Sequence, residues 1–268
     1  MAARFIGSGP ALINTAPPVT TYPFTVGIWA YTTDISTPRT FFALANNAVT
    51  NQYFYLGSAS GAAIQLFVQS GATSQGNNVT TLVVNGWYFI LGRFISATNR
   101  RLSVLLADGS VGHAQGTTNI TPTGINSVGI GATPTSTIQF FHAGQLAEFW
   151  WTNTDIQADG TQTQEWLVRQ LAWGGPFSSP HIAKDIIEHH SFRLSLGSQP
   201  DRGEDSYYGK YGKQKWNNST TAVTFGRHPP LPYWYAKPPT TRRSVRPAAL
   251  IGIATATSGR RRSLLLVG

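Results

Sequence analysis

The 268-residue chain has no cysteine. Disulfides and thiolate metal sites are therefore excluded. Charge is scarce too: Asp, Glu, Lys and Arg make up 12% of the chain, about half the usual share near 25%. Thr, Ser, Asn, Gln and Gly must then cover the surface, a profile that suits a secreted lectin or a virion protein better than a cytosolic enzyme. No apolar run approaches the length of a membrane span. The opening residues Met1 to Ile6 lack the apolar stretch of an export signal. The expectation is a soluble protein that does not take the general secretory route.

Acidic residues are missing altogether from residues 206–268. Residues 1–205 hold all eleven acids and nine Lys/Arg, a net charge of −2, whereas residues 206–268 hold eleven Lys/Arg and no acid, a net +11. A basic end of this kind meets an acidic partner or surface, or stays solvated as a tail.

Missing chemistry is equally informative. A retaining glycosidase needs two carboxyl groups about 5–5.5 Å apart, which a strand supplies at alternate positions. No such pair occurs here. Glu148 and Asp155 are the nearest candidates, and no second carboxylate lies two residues from Glu148. His113, His142, His181, His189, His190 and His228 show no zinc-ligand spacing, and adjacent His189 and His190 would point to opposite faces of a strand. Gly7-Ser8-Gly9 and Gly129-Ile130-Gly131 lack the following helix that a phosphate loop requires. No catalytic residue and no metal ligand set is assigned.

What is present is period-two patterning over residues 1–175, broken by Gly, Asn, Thr and Pro. Phe24, Val26, Ile28 and Ala30 share one face of a strand, and Thr25, Gly27, Trp29 and Tyr31 the other. Ile64, Leu66 and Val68 point inward with Gln65 and Gln69 outward, and Leu102, Val104 and Leu106 lie together before a positive-φ hairpin turn at Asp108-Gly109. Polar loops are expected at Ser70–Asn78, Thr117–Asn126 and Ala132–Thr137. One helix is expected over Asp159–Trp173, stopped by Gly174-Gly175-Pro176, with Trp166, Leu167, Gln170, Leu171 and Trp173 on its docking side. Beyond it, strands are expected at Ser191–Leu196 and Thr221–Phe225. The fold class is all-β: two antiparallel sheets face to face, with one short helix and an extended C-terminal arm.

Four segments carry a resemblance: Pro23–Tyr31 (PFTVGIWAY), Gly86–Phe94 (GWYFILGRF), Arg101–Val111 (RLSVLLADGSV) and Gly144–Trp151 (GQLAEFWW). Their order resembles the PFTISAW, GxWHHVA, LYVDGxxV and GxIDEVRIW series of laminin-G-like, concanavalin A-like jelly rolls. A second, shorter resemblance joins Pro176–Pro180, the EHHSFRL run from Glu188 and His228-Pro229-Pro230. It is similar to the C-terminal parts of laminin-G-like proteins among tailed-phage structural genes. The resemblance implies a jelly roll over residues 1–175, appended strands over 176–236 and a basic assembly tail over 237–268. It also implies a non-enzymatic virion protein, assembled in the host cytoplasm, that binds other virion subunits and further copies of itself.

The tail residues expected at that interface are Arg242, Arg243, Arg246, Arg260, Arg261, Arg262, Leu264 and Leu265. Apolar segments between the basic clusters favour a protein groove over nucleic acid. Host-surface glycan is the remaining partner candidate, met by Asn46, Asn47, Asn51, Tyr53 and Tyr55 on or beside a rim loop. Many relatives in this class carry rim calcium, and Asp34 and Asp155 are the residues that could meet to hold it. The expectation is no cofactor, with calcium the alternative. A free carbohydrate-binding module and a glycan depolymerase are the competing functions.

Overall fold

The computed structural model describes residues 2–7, 11–61, 63–80, 82–158, 163–175, 186–190, 217–218 and 224–226. In chain order the strands are β1 (Ala2–Ile6), β2 (Leu12–Asn14), β3 (Phe24–Thr32), β4 (Arg39–Ala45), β5 (Gln52–Ala59), β6 (Ala63–Ser70), β7 (Thr73–Thr80), β8 (Trp87–Ser96), β9 (Asn99–Leu105), β10 (Val111–Gly116), β11 (Ser127–Ile130) and β12 (Ala143–Thr152). The helix α1 (Gln164–Gly174) follows, then the short strands β13 (Ile186–His190), β14 (Asn217–Asn218) and β15 (Thr224–Gly226).

Alternation builds the two layers. One sheet runs β10-β9-β8-β3-β12-β1-β15, with β13 pairing on β12 as its eighth strand; the other runs β14-β2-β11-β4-β5-β6-β7. All pairings are antiparallel. Between the sheets lie Phe24, Val26, Ile28 and Ala30 of β3, Ile64, Leu66 and Val68 of β6, and Leu102 and Val104 of β9. At the centre Phe24 and Phe94 stack at 4.4 Å, and Phe54 meets both rings edge-on. The fold is a two-sheet antiparallel jelly roll.

The outer face of the eight-stranded sheet is covered as well. Trp29, Phe89, Leu91, Leu105, Ala147 and Trp150 pack there beneath Leu167, Val168, Leu171 and Ala172 of α1. The helix starts at Thr163, whose side chain accepts from the Trp166 N–H, and stops at Gly175 with φ 67°. Trp29 Nε1 donates to the Ala172 carbonyl and pins the last turn to the sheet. The helical reading is corrected at one tryptophan. Trp173 packs on Trp29 at 5.7 Å, but Trp166 is 44% exposed, because Val168 occupies the buried side in its place.

The central strand β12 carries a bulge. Ala147 faces Trp29 and Trp150 faces Gly27, so three steps on β12 match two on β3, and Glu148 takes φ 48°. Without the extra residue, strict alternation from Leu146 would aim Glu148 into the core. With it, Phe149 and Trp151 enter the core while Trp150 points outward. The bulge also divides one edge of β12. Residues 143–146 pair with β1 and residues 149–152 with β13.

One turn and one strand reading are refined. The β9–β10 connection is a three-residue loop closed by Leu106 N–H to Ser110 O at 2.9 Å, with only Gly109 at positive φ. Asp108 instead accepts from the hydroxyl and amide of Ser110, which holds its carboxyl below the usual range. The strand expected at Thr221–Phe225 is Thr224–Gly226, whereas Ser191–Leu196 lies outside the described residues.

Candidate functional site

The rim loop Asn46–Asn51 joins β4 to β5 and is shaped by amide side chains. Asn46 Oδ1 accepts from Ala48 N–H, and Asn126 Oδ1 accepts from Asn47 N–H, both at 2.9 Å. The neighbouring loop over 117–126 is tied in by Thr123 N–H to Gln52 Oε1 at 2.9 Å. It is also held by Arg100, which is fully buried and reaches Thr118 O at 2.8 Å. Asn46 thus serves mainly to shape the loop, while Asn47 and Asn51 are exposed.

The second expected loop is not a loop. Ser70–Asn78 is the end of β6, a two-residue turn and most of β7, with Ser70 facing Thr73 and Gln65 facing Asn78. Gly71 at φ 61° supplies the first turn position. Val79 is the one large apolar residue on β7, so its composition reads as loop. Backbone pairing to β6 makes it an edge strand nevertheless.

Tyr53 and Tyr55 also need correction as contact residues. Their exposures are 6% and 3%. The Tyr55 hydroxyl lies 2.8 Å from Arg39 O and 2.7 Å from Ser58 O, and burial raises its pKa well above the ordinary value. Burial pushes the Tyr53 phenol up to about 12. The reason is a neighbour over the sheet: Phe140, in the loop between β11 and β12, meets Tyr55 at 6.0 Å.

Phe67, like Phe140, is only partly buried. It faces Tyr55 across β5 and β6 and Gly76 across β6 and β7. It stacks on Tyr53 at 5.8 Å and 26° and meets Tyr55 edge-on at 6.4 Å. Gln65 and Gln69 flank it on the same face. Gln65 Nε2 donates to Asn78 Oδ1 at 2.9 Å, and Gln69 Nε2 to Gly71 O at 3.2 Å. The outer face of the seven-stranded sheet therefore carries a half-exposed ring on a buried tyrosine floor, edged by amides and, toward the rim, by exposed Asn51. Phe67 was visible in the sequence as the residue between two outward glutamines.

Other candidates are kept apart. Asp34 follows the Thr32 end of β3, which faces Gly144, whereas Asp155 lies beyond Thr152, which faces Thr25. The two acids sit at opposite ends of a nine-residue strand, roughly 27 Å apart, so they cannot share a calcium ion. Asp34 pairs with Arg39, and its carboxyl is held below the usual range chiefly by the amide and hydroxyl of Ser36. Asp155 grips Arg93 through both oxygens, at 2.7 and 2.9 Å. Glu148 is buried. Among the described residues no cluster of three His, Asp or Glu could hold a metal, and no helix is long and apolar enough to cross a membrane. Arg242, Arg243, Arg246, Arg260, Arg261, Arg262, Leu264 and Leu265 lie outside the described residues.

No family model and no curated protein sequence matches the chain. Solved structures do. The chain is similar to the carbohydrate-binding module CBM40 of the Ruminococcus gnavus IT-sialidase, with a TM-score of 0.50 at 12% identity over 59% of this chain and 92% of that one. The jelly-roll fold is shared. The chain is also similar to domains LG4-5 of the mouse laminin α1 chain, with a TM-score of 0.45 at 13% identity over 59% of this chain and 44% of that one. The enzymatically active domain of bacteriophage CBA120 tailspike protein 2 gives a TM-score of 0.48 at 14% identity, over 69% of this chain and 29% of that one.

Proposed function

We propose that the jelly roll is a non-catalytic glycan-binding domain of a phage particle, joined to other particle subunits by the basic C-terminal segment. The observation that carries the glycan reading is the half-exposed Phe67 on its Tyr53 support, flanked by Gln65, Gln69 and Asn78. A sugar ring offers an apolar C–H face to an aromatic platform and hydroxyls to amides placed around it. The platform is rigid before the ligand arrives, because the ring beneath Phe67 is buried. Rotamer entropy lost on binding is correspondingly small.

The basic segment supports the particle role. Its net charge of +11 over residues 206–268 stands beside −2 on the rest of the chain. A free carbohydrate-binding module has no evident use for such an end. The tail arginines and Leu264 and Leu265 would enter a groove on a neighbouring subunit, and copies of the chain would assemble with it in the host cytoplasm.

A depolymerase would need two carboxyl groups facing one sugar. Among the described side chains, Asp34 and Asp155 are each engaged by an arginine, Asp108 shapes a turn, Glu148 is buried at the bulge, and Glu165 stands alone as an exposed acid on α1. That distribution supports a binding role. The test is a glycan array probed with the full chain, paired with a reducing-end assay on every glycan retained. Retention without new reducing ends is expected. Uniformly flat retention would remove the glycan reading, and release of reducing ends would replace it with the depolymerase.

A further inference from the structure

On the outer face of the other sheet, beside the N-terminal end of α1, lies a hollow of about 290 Å³ lined by Arg93, Arg101, Ser103, His113, Gln115 and Gln164. The strand register explains its chemistry. Arg93, Arg101 and Gln115 form one row across β8, β9 and β10, and Ser103 faces His113 in the next row. Two arginines directly opposite one another repel unless something answers them. Asp155 answers Arg93 with both carboxylate oxygens. Arg101 is exposed, and only its Nε is engaged, by Asn99 Oδ1 at 3.4 Å. No carboxylate pairs with it among the described residues.

Two further observations point the same way. Gln164 accepts from Arg93 Nη1 at 3.3 Å, but its own Nε2 is buried without an acceptor. A buried donor left unmade is costly, and a ligand oxygen would relieve it. Ser103 Oγ sits 2.9 Å from His113 Nδ1 and can donate to it, which leaves the imidazole proton on Nε2 as another donor. Gln164 is also the first residue of an eleven-residue helix, whose amino end carries partial positive charge. Glu165, the acid of that first turn, is exposed to solvent.

We propose that this hollow binds a carboxylate borne by an acidic sugar, with the Arg101 guanidinium as its principal partner and Gln115, Gln164 and His113 as further donors. The charge count selects the class: two guanidiniums against Asp155 leave one uncompensated positive charge. Both carboxylate and phosphate accept the guanidinium fork, but a monoanionic carboxylate matches the single open charge, whereas a phosphate dianion would leave one negative charge unanswered. The volume lies at the small end of ligand pockets, suited to one sugar ring. The hollow and the Phe67 face lie on different sheets, so this assignment does not depend on the aromatic site.

The test is a nuclear magnetic resonance titration of the full chain with D-glucuronate, D-glucose and inorganic phosphate in separate arms. Glucuronate is expected to give saturable shifts of the Gln164 and Gln115 side-chain amides and the Arg101 Nε–H, and glucose none. Arg101→Gln, at an exposed position, should weaken glucuronate at least about tenfold, whereas Arg4→Gln, the same charge change at an exposed position on β1 outside the hollow, should leave the titration unchanged. No saturable shift with glucuronate, an equal response to glucose, tighter binding of phosphate, or unaltered affinity in Arg101→Gln would each overturn the assignment.

Discussion

The indole of Trp150 lies across Gly27, its partner on the neighbouring strand. A Cβ built on Gly27 would fall 2.2 Å from Trp150 Cε2 and Cζ2. Trp150 has no accessible surface and cannot swing away, because α1 packs over the same face. Gly27→Ala should therefore destabilise the domain by roughly 1–3 kcal/mol through overpacking. Denaturant unfolding followed by tryptophan fluorescence measures this, and an unchanged midpoint would show that the indole yields.

Arg93 and Asp155 join β8 to the segment leading into α1, with side-chain exposures of 4% and 13%. Removing one charge strands the other. Asp155→Asn is expected to cost roughly 3 kcal/mol, and the paired change Arg93→Met with Asp155→Leu to recover most of that. A double-mutant cycle in urea checks both, and additive losses would contradict the pairing argument.

Segments with apolar residues on one face are legible from the sequence alone. In β3, β6 and β9 the alternation names the core-facing residues because burial sorts side chains with period two. The helix was legible at Leu167 and Leu171 for the same reason with period 3.6. β7 escaped because an edge strand is held by backbone bonds to β6, and Asn77 and Asn78 carry no apolar signal. Asp34 and Asp155 were misjudged because their separation depends on antiparallel pairing between segments more than a hundred residues apart. The sequence places Tyr53 and Tyr55 on the strand that follows the rim loop, which is β5. Their burial follows from Phe67 and Phe140, whose positions only the assembled sheet reveals.

His142 is fully buried, with the rings of Phe5 and Phe41 edge-on at 5.7 and 5.3 Å, and burial pushes its pKa down to about 3. An unfolded histidine titrates near 6.5. Between about pH 6.5 and 3 the unfolded chain binds a proton that the folded chain refuses, so stability falls as the pH drops, by roughly 1.4 kcal/mol per unit. Above pH 6.5 both states are neutral and the contribution is flat. Urea midpoints at pH 7.5, 6.0 and 5.0 should show the decline in the wild type and a shallower one in His142→Leu. Identical slopes would mean that His142 takes up its proton while folded.

Residues 237–268 carry seven Lys/Arg and no acid, and every described strand of the two sheets lies within residues 2–226. Truncation after residue 236 is expected to leave a folded, soluble protein by circular dichroism and to abolish its co-sedimentation with assembled particles. Normal incorporation of the truncated chain would refute the docking role.

Phe67 supplies the most direct test of the aromatic face, because its ring is half-exposed while the tyrosines beneath it are buried. A weak glycan contact in the millimolar to micromolar range corresponds to roughly −4 to −8 kcal/mol. Loss of one stacking ring should remove about 1.4 kcal/mol of that, a tenfold drop in affinity. Phe67→Ala is therefore expected to lower retention on a glycan that binds the wild type, with little change in the unfolding midpoint. Tyr55→Ala should instead lower the unfolding free energy by roughly 3 kcal/mol, because it opens a cavity under Phe67 and Phe140 and frees the carbonyls of Arg39 and Ser58. Gln65→Ala offers an intermediate case, since it removes an amide while the ring stays in place. If Phe67→Ala binds like the wild type while Gln65→Ala does not, the contact is made by the amides alone. If neither changes, the ligand meets another surface of the domain.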